Sequence, residues 1–485
     1  MRIHHPFMWR LLVGVFLVTS GCGSVANPRS CLDGTCTSEE FPFCDVDGSF
    51  GDAPNTCIAV TCEPMVFAGC RTNKELRCNT TGTDYDQIVC PLGCQDGVGC
   101  RVCEPNETVC ANGAVQTCDA SGNVVQSEAC PLGCFEAEAR CRDIDPSNGL
   151  ATYLDLVGTP PDVELVDVGI NVTNGTIAGA NGQVAVPSFL MAAPQNGVAI
   201  RVFVVGRALL KNVTVQGPTT LTAFGAHPAI AFVASGDVTI EGSIRITEYD
   251  QPAAGSFSSP TCAGEAGLRS SIGGGTQITG SGGGGHATAG ADGGGISGVT
   301  GARAKGVASG SPTLVPLRGG CPSGWVSGGG AIQISTRGAL HVLGTVNVHG
   351  GTADFEQDTV AGGGGGGGIL LEGATIELGP QAKLIAKGGG GSAKFALASF
   401  SLDEAPSLGA DCGQSTCGNG GNGATATLPA GPGVGLSFMA GQEQWTGGGG
   451  GGVGYVRINT PDTTYTKASS SVEAAVVTTG NLRTR

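Results

Sequence analysis

Two stretches near the centre of the chain repeat one shape, and they constrain the fold more than any other feature. Residues 331–350 read AIQISTRGALHVLGTVNVHG, and 368–388 read GILLEGATIELGPQAKLIAKG. Each contains three short runs in which apolar residues alternate with other types. Ile332 and Ile334, Leu340 and Val342, then Val346 and Val348 would point inward on three successive strands. Ile369 and Leu371, Ile376 and Leu378, then Leu384 and Ala386 take those places in the second unit. About twenty residues with three strands and no helix-length run is the signature of one coil of a parallel β-solenoid.

The same pattern places coils at 198–224, 229–248 and 454–477. It predicts an inward ladder of Ile200, Ile230, Ile332, Ile369 and Val456 beside Val202, Phe232, Ile334, Leu371 and Ile458. Arg201, Ala231, Gln333, Leu370 and Arg457 would then face solvent. The inserts at 249–330, 351–367 and 389–453 each fall between the third strand of one coil and the first strand of the next, so they leave from one shared corner. Residues 150–197 are expected to cap the first coil, because an open solenoid end invites edge pairing.

Glycine dominates these inserts: the chain has 86 glycines in 485 residues, with tracts at 362–368, 388–391 and 447–452. Ordering seven glycines costs roughly 3.5 to 7 kcal/mol more than ordering seven alanines. Either the tracts stay loose, or backbones pack there where side chains cannot fit. Glycine does not recur strictly every third residue through the chain, which excludes a collagen helix. The tracts match G-x-G-x-x-G trivially, and G-x-x-x-x-G-K-[ST] is absent, so no nucleotide cofactor is implied.

The first third is built differently. Sixteen of the 21 cysteines lie in residues 31–141. Cys62, Cys70, Cys78, Cys90, Cys94 and Cys100 recur as Cys103, Cys110, Cys118, Cys130, Cys134 and Cys141, each displaced by 40 or 41 residues. Both copies begin Cys-Glu-Pro and carry CPLGC near the end. Asn112-Gly113 between two β-prone runs predicts a hairpin over 108–117. A unit this small buries too little core to stand alone, so three bridges per copy would stabilise it by about 2 to 4 kcal/mol each. No histidine falls between His5 and His227 to complete a zinc set, which favours bridges over metal. The expected pairs are Cys103 with Cys118, Cys110 with Cys130, and Cys134 with Cys141. In the inserts, Cys262 should pair with Cys321 and Cys412 with Cys417.

Residues 1–22 have arginines, an apolar run and Thr19-Ser20-Gly21-Cys22, the layout of an export signal. Setting Cys22 aside leaves an even 20 cysteines, as an oxidising compartment requires for bridges. The resulting division is a signal at 1–22, a tether and small Cys knot at 23–61, Cys modules at 62–102 and 103–142, a linker at 143–149, a cap at 150–197 and the solenoid at 198–485. Net charge is -15, and 19 acidic against 7 basic residues fall within 23–150. No basic stripe exists to take nucleic acid. The chain holds no H-E-x-x-H or G-x-S-x-G. Asp354, Glu356 and Asp358 occupy alternate positions and are the weak candidates for a metal site or for an acid-base pair of sugar chemistry. His341 and His349 read as surface histidines, and neither a catalytic nor a cofactor-binding set is identified.

The end of the signal resembles a bacterial lipobox, which implies acylation of Cys22 and a membrane-held, exported protein; Gly23 after it implies the outer membrane. The solenoid half resembles right-handed parallel β-helix proteins of the pectin-lyase-like type in coil length and three-strand pattern. The whole layout looks like Cys-rich and Gly-rich surface lipoproteins of predatory Gram-negative soil bacteria. The expectation is therefore an all-β chain, a right-handed parallel β-helix with long Gly-rich inserts preceded by disulfide-stapled β modules. Its expected role is non-enzymatic contact with a polysaccharide or a surface protein. A polysaccharide lyase or hydrolase is the alternative, and an ice or mineral-surface binder the weaker one.

Overall fold

The computed structural model describes residues 29–485 apart from 32–33, 47, 49–52, 102, 121, 193–197, 217–226, 247–252, 258, 299, 354, 357–358 and 401–402. It is nearly all β, with 41% strand and 2% helix. The chain forms two compact units, one holding residues up to 128 with 136–139, the other 129–135 with 140–485.

In the first unit, Phe43–Asp45 and Thr56–Ile58 form an antiparallel ribbon held by Cys31–Cys44 and Cys36–Cys57 bridges. Phe67–Arg71, Lys74–Cys78 and Tyr85–Val89 make a three-stranded meander stapled by Cys62–Cys78, Cys70–Cys94 and Cys90–Cys100. Thr108–Ala111 and Ala114–Cys118 pair around Asn112 and Gly113, whose φ of 53° and 72° make the primed turn that suits a tight hairpin.

The disulfides require two corrections. Cys103 is joined to Cys118, but Cys130 is joined to Cys141, which overturns the pairings Cys110 with Cys130 and Cys134 with Cys141. The cause is the CPLG turn. Gly133 N–H donates to the Cys130 carbonyl (2.9 Å), and Arg142 N–H then donates to the Gly133 carbonyl (2.9 Å). The chain thus returns beside the turn just after Cys141, bringing that residue to Cys130. Cys134 lies opposite Cys141 across a short hairpin without being joined to it. The first copy repeats the turn, with Gly93 bonded to Cys90 and Arg101 bonded to Gly93.

The second unit is organised by a 16-stranded mixed sheet. Ala229–Ala234, Ala331–Val342, Gly368–Leu378, Tyr455–Thr460 and Val476–Asn481 follow one another in parallel register. Ile230, Ile332, Ile369 and Val456 align on it, as do Phe232, Ile334, Leu371 and Ile458. A second parallel run carries Leu165, Leu210, Ile240, Val342 and Leu378, and a third carries Val213, Ile244, Val346 and Leu384. All these side chains share one buried cluster. Thr176–Gly179 and Gly182–Val184 on one side, and Ser188–Met191 on the other, end the sheet with antiparallel pairings.

The first rung of the expected ladder is displaced by one residue. Arg201, not Ile200, aligns with Ile230, and Phe203, not Val202, aligns with Phe232. The Phe203 and Phe232 rings stack at 5.4 Å between centroids, while Arg201 Nε donates to the Val172 carbonyl at 2.9 Å. A one-residue slip exchanges the two faces of a strand. The outward residues also differ from expectation. Ala231 and Leu370 are buried with Ile144, Leu150, Leu154, Leu314, Leu317 and Leu482, and Gln333 is buried under Ser147 and Asn148, to which its side-chain amide is bonded. Two of those three outward residues are apolar, so covering that face removes their surface from water.

The glycine tracts are packed, and they pack by a three-residue rule. Gly447 and Gly450 donate to Val434 and Gly431, Gly448 and Gly451 to Ser392 and Gly389, Gly449 and Gly452 to Ser281 and Gly284. Their carbonyls accept in the same rhythm, from Gly294 and Ala291, from Gly421 and Ala424, and from Gly363 and Gly366. A period of three with every bond made to another segment is the polyproline II geometry, which has no internal hydrogen bonds. The six surrounding segments also bond to one another in sequence around the ring: 283 to 291, 433 to 292, 431 to 422, 391 to 421, 389 to 364 and 284 to 363. Residues 447–452 are thus the centre of a hexagonal array of extended backbones. Segments 281–286 and 361–368 are ringed in the same way.

Neighbour number explains glycine content. A Cβ on any residue of 447–452 would overlap a carbonyl oxygen of Asn419, Ala361, Ala291, Asn422, Gly364 or Thr288. Such an overlap is far inside the roughly 3.5 to 4 Å of ordinary contact. At the margin, where sides open to solvent, side chains return every third residue: in Gly418-Asn419-Gly420-Gly421-Asn422-Gly423 both asparagines are exposed while Gly418 and Gly421 are buried. Each hydrogen bond contributes a net stabilisation of about 1 kcal/mol, and together they offset the entropy of ordering glycine. Cys262 is bridged to Cys321 inside the array, where their carbonyls accept from Gly285 and Gly365. Cys412 is bridged to Cys417, and the Cys417 side chain is buried against Trp445.

Candidate functional site

A cleft of about 740 Å³ opens on the outward face of the sheet's last strands. Its polar lining comes from Asp145, Ser147 and Asn148 on the segment leading into the helix Ala151–Leu156, from Arg457 and Asn459 on Tyr455–Thr460, and from Arg483. Register sets the residues in and beneath this lining. Ser335, Glu372 and Asn459 are successive outward residues of one ladder, and Gln333, Leu370 and Arg457 of the next.

Glu372 lies beneath this lining, bonded to Ser147 and Asn459 of it, and is 1% exposed. Its Oε1 accepts from Ser147 Oγ (2.7 Å) and Asn459 Nδ2 (2.9 Å). Its Oε2 accepts from Ser147 N (3.0 Å), Gln333 Nε2 (2.9 Å) and Ser335 Oγ (2.8 Å). Five donors fill both oxygens of a buried carboxylate, the condition under which a buried polar network rigidifies a fold. Arg457 Nε donates to Asn459 Oδ1 at 2.7 Å, which orients its guanidinium at the cleft. Burial pushes the Arg457 guanidinium down from its usual value, and the charge of Glu372 opposes the shift. Asp145 is ion-paired with Arg483 at 3.5 Å. Both carboxylates are thus held by donors of the protein itself, Glu372 by five hydrogen bonds and Asp145 by its ion pair with Arg483.

The residues singled out by sequence are placed elsewhere. Asp354 and Asp358 lie outside the described residues, as does the side chain of Glu356; Cys22 lies outside them as well. His341 is on the surface, with Nδ1 3.0 Å from Glu377 Oε2. His349 is not a surface residue. It is buried against Phe400, with ring centroids 3.7 Å apart, and its Nδ1 meets the Gly350 carbonyl at 2.6 Å. The glycine array buries a second histidine, His286, whose Nδ1 reaches the carbonyls of Gly366 (2.7 Å) and Gly367 (3.1 Å). Two carbonyl acceptors place the proton on Nδ1.

Sequence reasoning missed Glu372, Asn459 and Arg483. An alternating polar residue in a strand reads as solvent-facing, and the partner that covers Glu372 lies 225 residues away. The cysteines that lie within ligand distance of one another, Cys31, Cys36 and Cys44 or Cys90 and Cys100 beside Glu75, are disulfide-bonded and offer no thiolate. No protein-family model, no curated protein and no solved structure matches this chain.

Proposed function

We propose that the protein is a non-enzymatic, exported surface lipoprotein, held to the outer membrane through Cys22, that presents a rigid face to a polysaccharide or protein partner. In this reading the parallel ladders are turns of a right-handed parallel β-helix, and the disulfide-stapled modules are its spacer. The observation that carries it is the hexagonal glycine array. A catalytic β-helix needs open loops and free acid-base groups around its groove. Here the inserts are locked into one another, and Glu372 beside the cleft has five donors. Extensive ordering of backbone against backbone fits a surface whose task is to hold a shape. No helix among the described residues is long and apolar enough to cross a membrane, so attachment in this reading rests on the acyl chains.

The test is to label cells with a fatty acid and to measure their adhesion to polysaccharide-coated and protein-coated surfaces. Wild-type protein should take up label, and Cys22→Ser should lose it. Adhesion should fall both in the deletion strain and in Cys22→Ser. Label retained in Cys22→Ser would refute the anchor, and adhesion unchanged in both strains would refute the interaction role.

A further inference from the structure

The margin of the array contains an unfilled position. Segment 288–294 is ringed on four of its six sides, by 281–286, 447–453, 431–436 and 303–306. Its amides follow the three-residue rule. Thr288, Ala291 and Gly294 donate to 453, 450 and 447, and Gly290 and Gly293 donate to 306 and 303. The third row is Ala289 and Asp292. Both are half-buried, and their amides donate to no acceptor among the described residues. On that side lies a trough of about 570 Å³, walled by Thr427, Leu428, Pro429 and Pro432 beside Ala289 and Asp292. Leu428 is 51% exposed.

We propose that this trough binds a proline-rich partner segment in the polyproline II conformation. Three observations select that occupant. The unpaired amides stand three residues apart on an extended backbone, about 9.3 Å, which is one turn of a polyproline II helix. The trough offers backbone donors, and a proline-rich chain offers carbonyl acceptors with few N–H groups of its own to leave unsatisfied. Leu428, Pro429 and Pro432 give the wall an apolar, proline-bearing stretch that suits pyrrolidine rings, between the polar Thr427 and Lys305, and a preformed helix gives up little entropy on docking. The segment would continue the array's own packing by one rod. A second copy of this chain fits worse, since its marginal segments carry outward side chains such as Lys305, Asn419 and Asn422.

This inference rests on the reading of the protein as an interaction protein, and its test separates the two. A fluorescent oligoproline peptide is titrated with the whole disulfide-bonded chain, beside a Gly/Ser peptide of equal length. Oligoproline should bind and the Gly/Ser peptide should not. Ala289→Pro keeps an extended backbone but removes one donor, and should weaken oligoproline by about tenfold or more with an unchanged melting temperature. Ala289→Ser, which restores the N–H, should bind as wild type does. Leu428→Asp at the exposed wall should also weaken binding. No binding of oligoproline at millimolar concentration, equal binding of both peptides, self-association through the trough, or full binding by Ala289→Pro and Leu428→Asp would each overturn the proposal. If any of these occurred while adhesion still fell in the deletion strain, the interaction role would stand without this trough.

Discussion

Replacing Gly450 with valine is expected to unfold the second unit, at a cost on the order of 4 kcal/mol or more. Its amide donates to Gly431 and its carbonyl accepts from Ala291, both at 2.9 Å. Its third side faces the Asn422 carbonyl oxygen, which a Cβ would overlap. No rotamer relieves this, because the obstruction is backbone and begins at Cβ. Separating the rods to make room would break bonds to several neighbours at once. Gly301→Ala is the matched control: nothing lies within 4 Å of a Cβ there. Its stability should stay within about 0.5 kcal/mol of wild type. Thermal melts of both variants decide the matter, and a Gly450→Val melt resembling that of Gly301→Ala would show that the array does not bear on stability.

Mild acid should destabilise the second unit through two buried histidines. Burial lowers both His286 and His349 from 6.5 to about 4; the carbonyl bonds each makes oppose the shift, and nearby Arg318, or Lys387 and Arg245, add to it. A histidine whose folded pKa is depressed binds its proton more readily when unfolded. Its stabilising contribution is complete above about pH 6.5, falls as pH drops from there to about 4, and is flat below. Each histidine should remove on the order of 1 kcal/mol per pH unit across that window. Asp143 is a separate case. Burial raises it, but Arg337 and Arg485 prevail and hold it below its ordinary 3.8, so its contribution is lost only in stronger acid. Urea denaturation at pH 7 and pH 5 measures the histidine part. Replacing His349 with glutamine should roughly halve the pH dependence between those points, and an unchanged slope would remove His349 from the account.

How much of this was legible in the sequence depended on whether a residue's environment is set nearby or far along the chain. Ile332, Ile369 and Val456 could be read because alternation has a period of two and each of the three parallel strands repeats it. Ile200–Val205 misled because all six residues are buried and its one polar residue, Arg201, reads as outward although it aligns with Ile230 and donates to the Val172 carbonyl. Glu372 looked like an ordinary outward residue, since nothing local announces that Ser147 will cover it. His349 was hidden for the same reason, its stacking partner Phe400 lying in an insert. The glycine array was half visible. The asparagines of GNGGNG at 418–423 carry the three-residue period, but 362–368 and 447–452 are glycine throughout and show no phase. Uniformity was the signal, because a rod with six neighbours has no side on which to display a period.

Backbone amide hydrogen exchange over the glycine tracts tests the packed array most directly. Amides of 447–452 and 363–368 should exchange as slowly as those of 369–372 in the adjoining strand, since all donate to carbonyls of neighbouring packed segments and open only when the unit unfolds. Reduction of the Cys262–Cys321 bridge should raise their exchange rates together. Exchange of these glycines at the rate of an unstructured chain, while 369–372 remains protected, would contradict the array and every conclusion drawn from it.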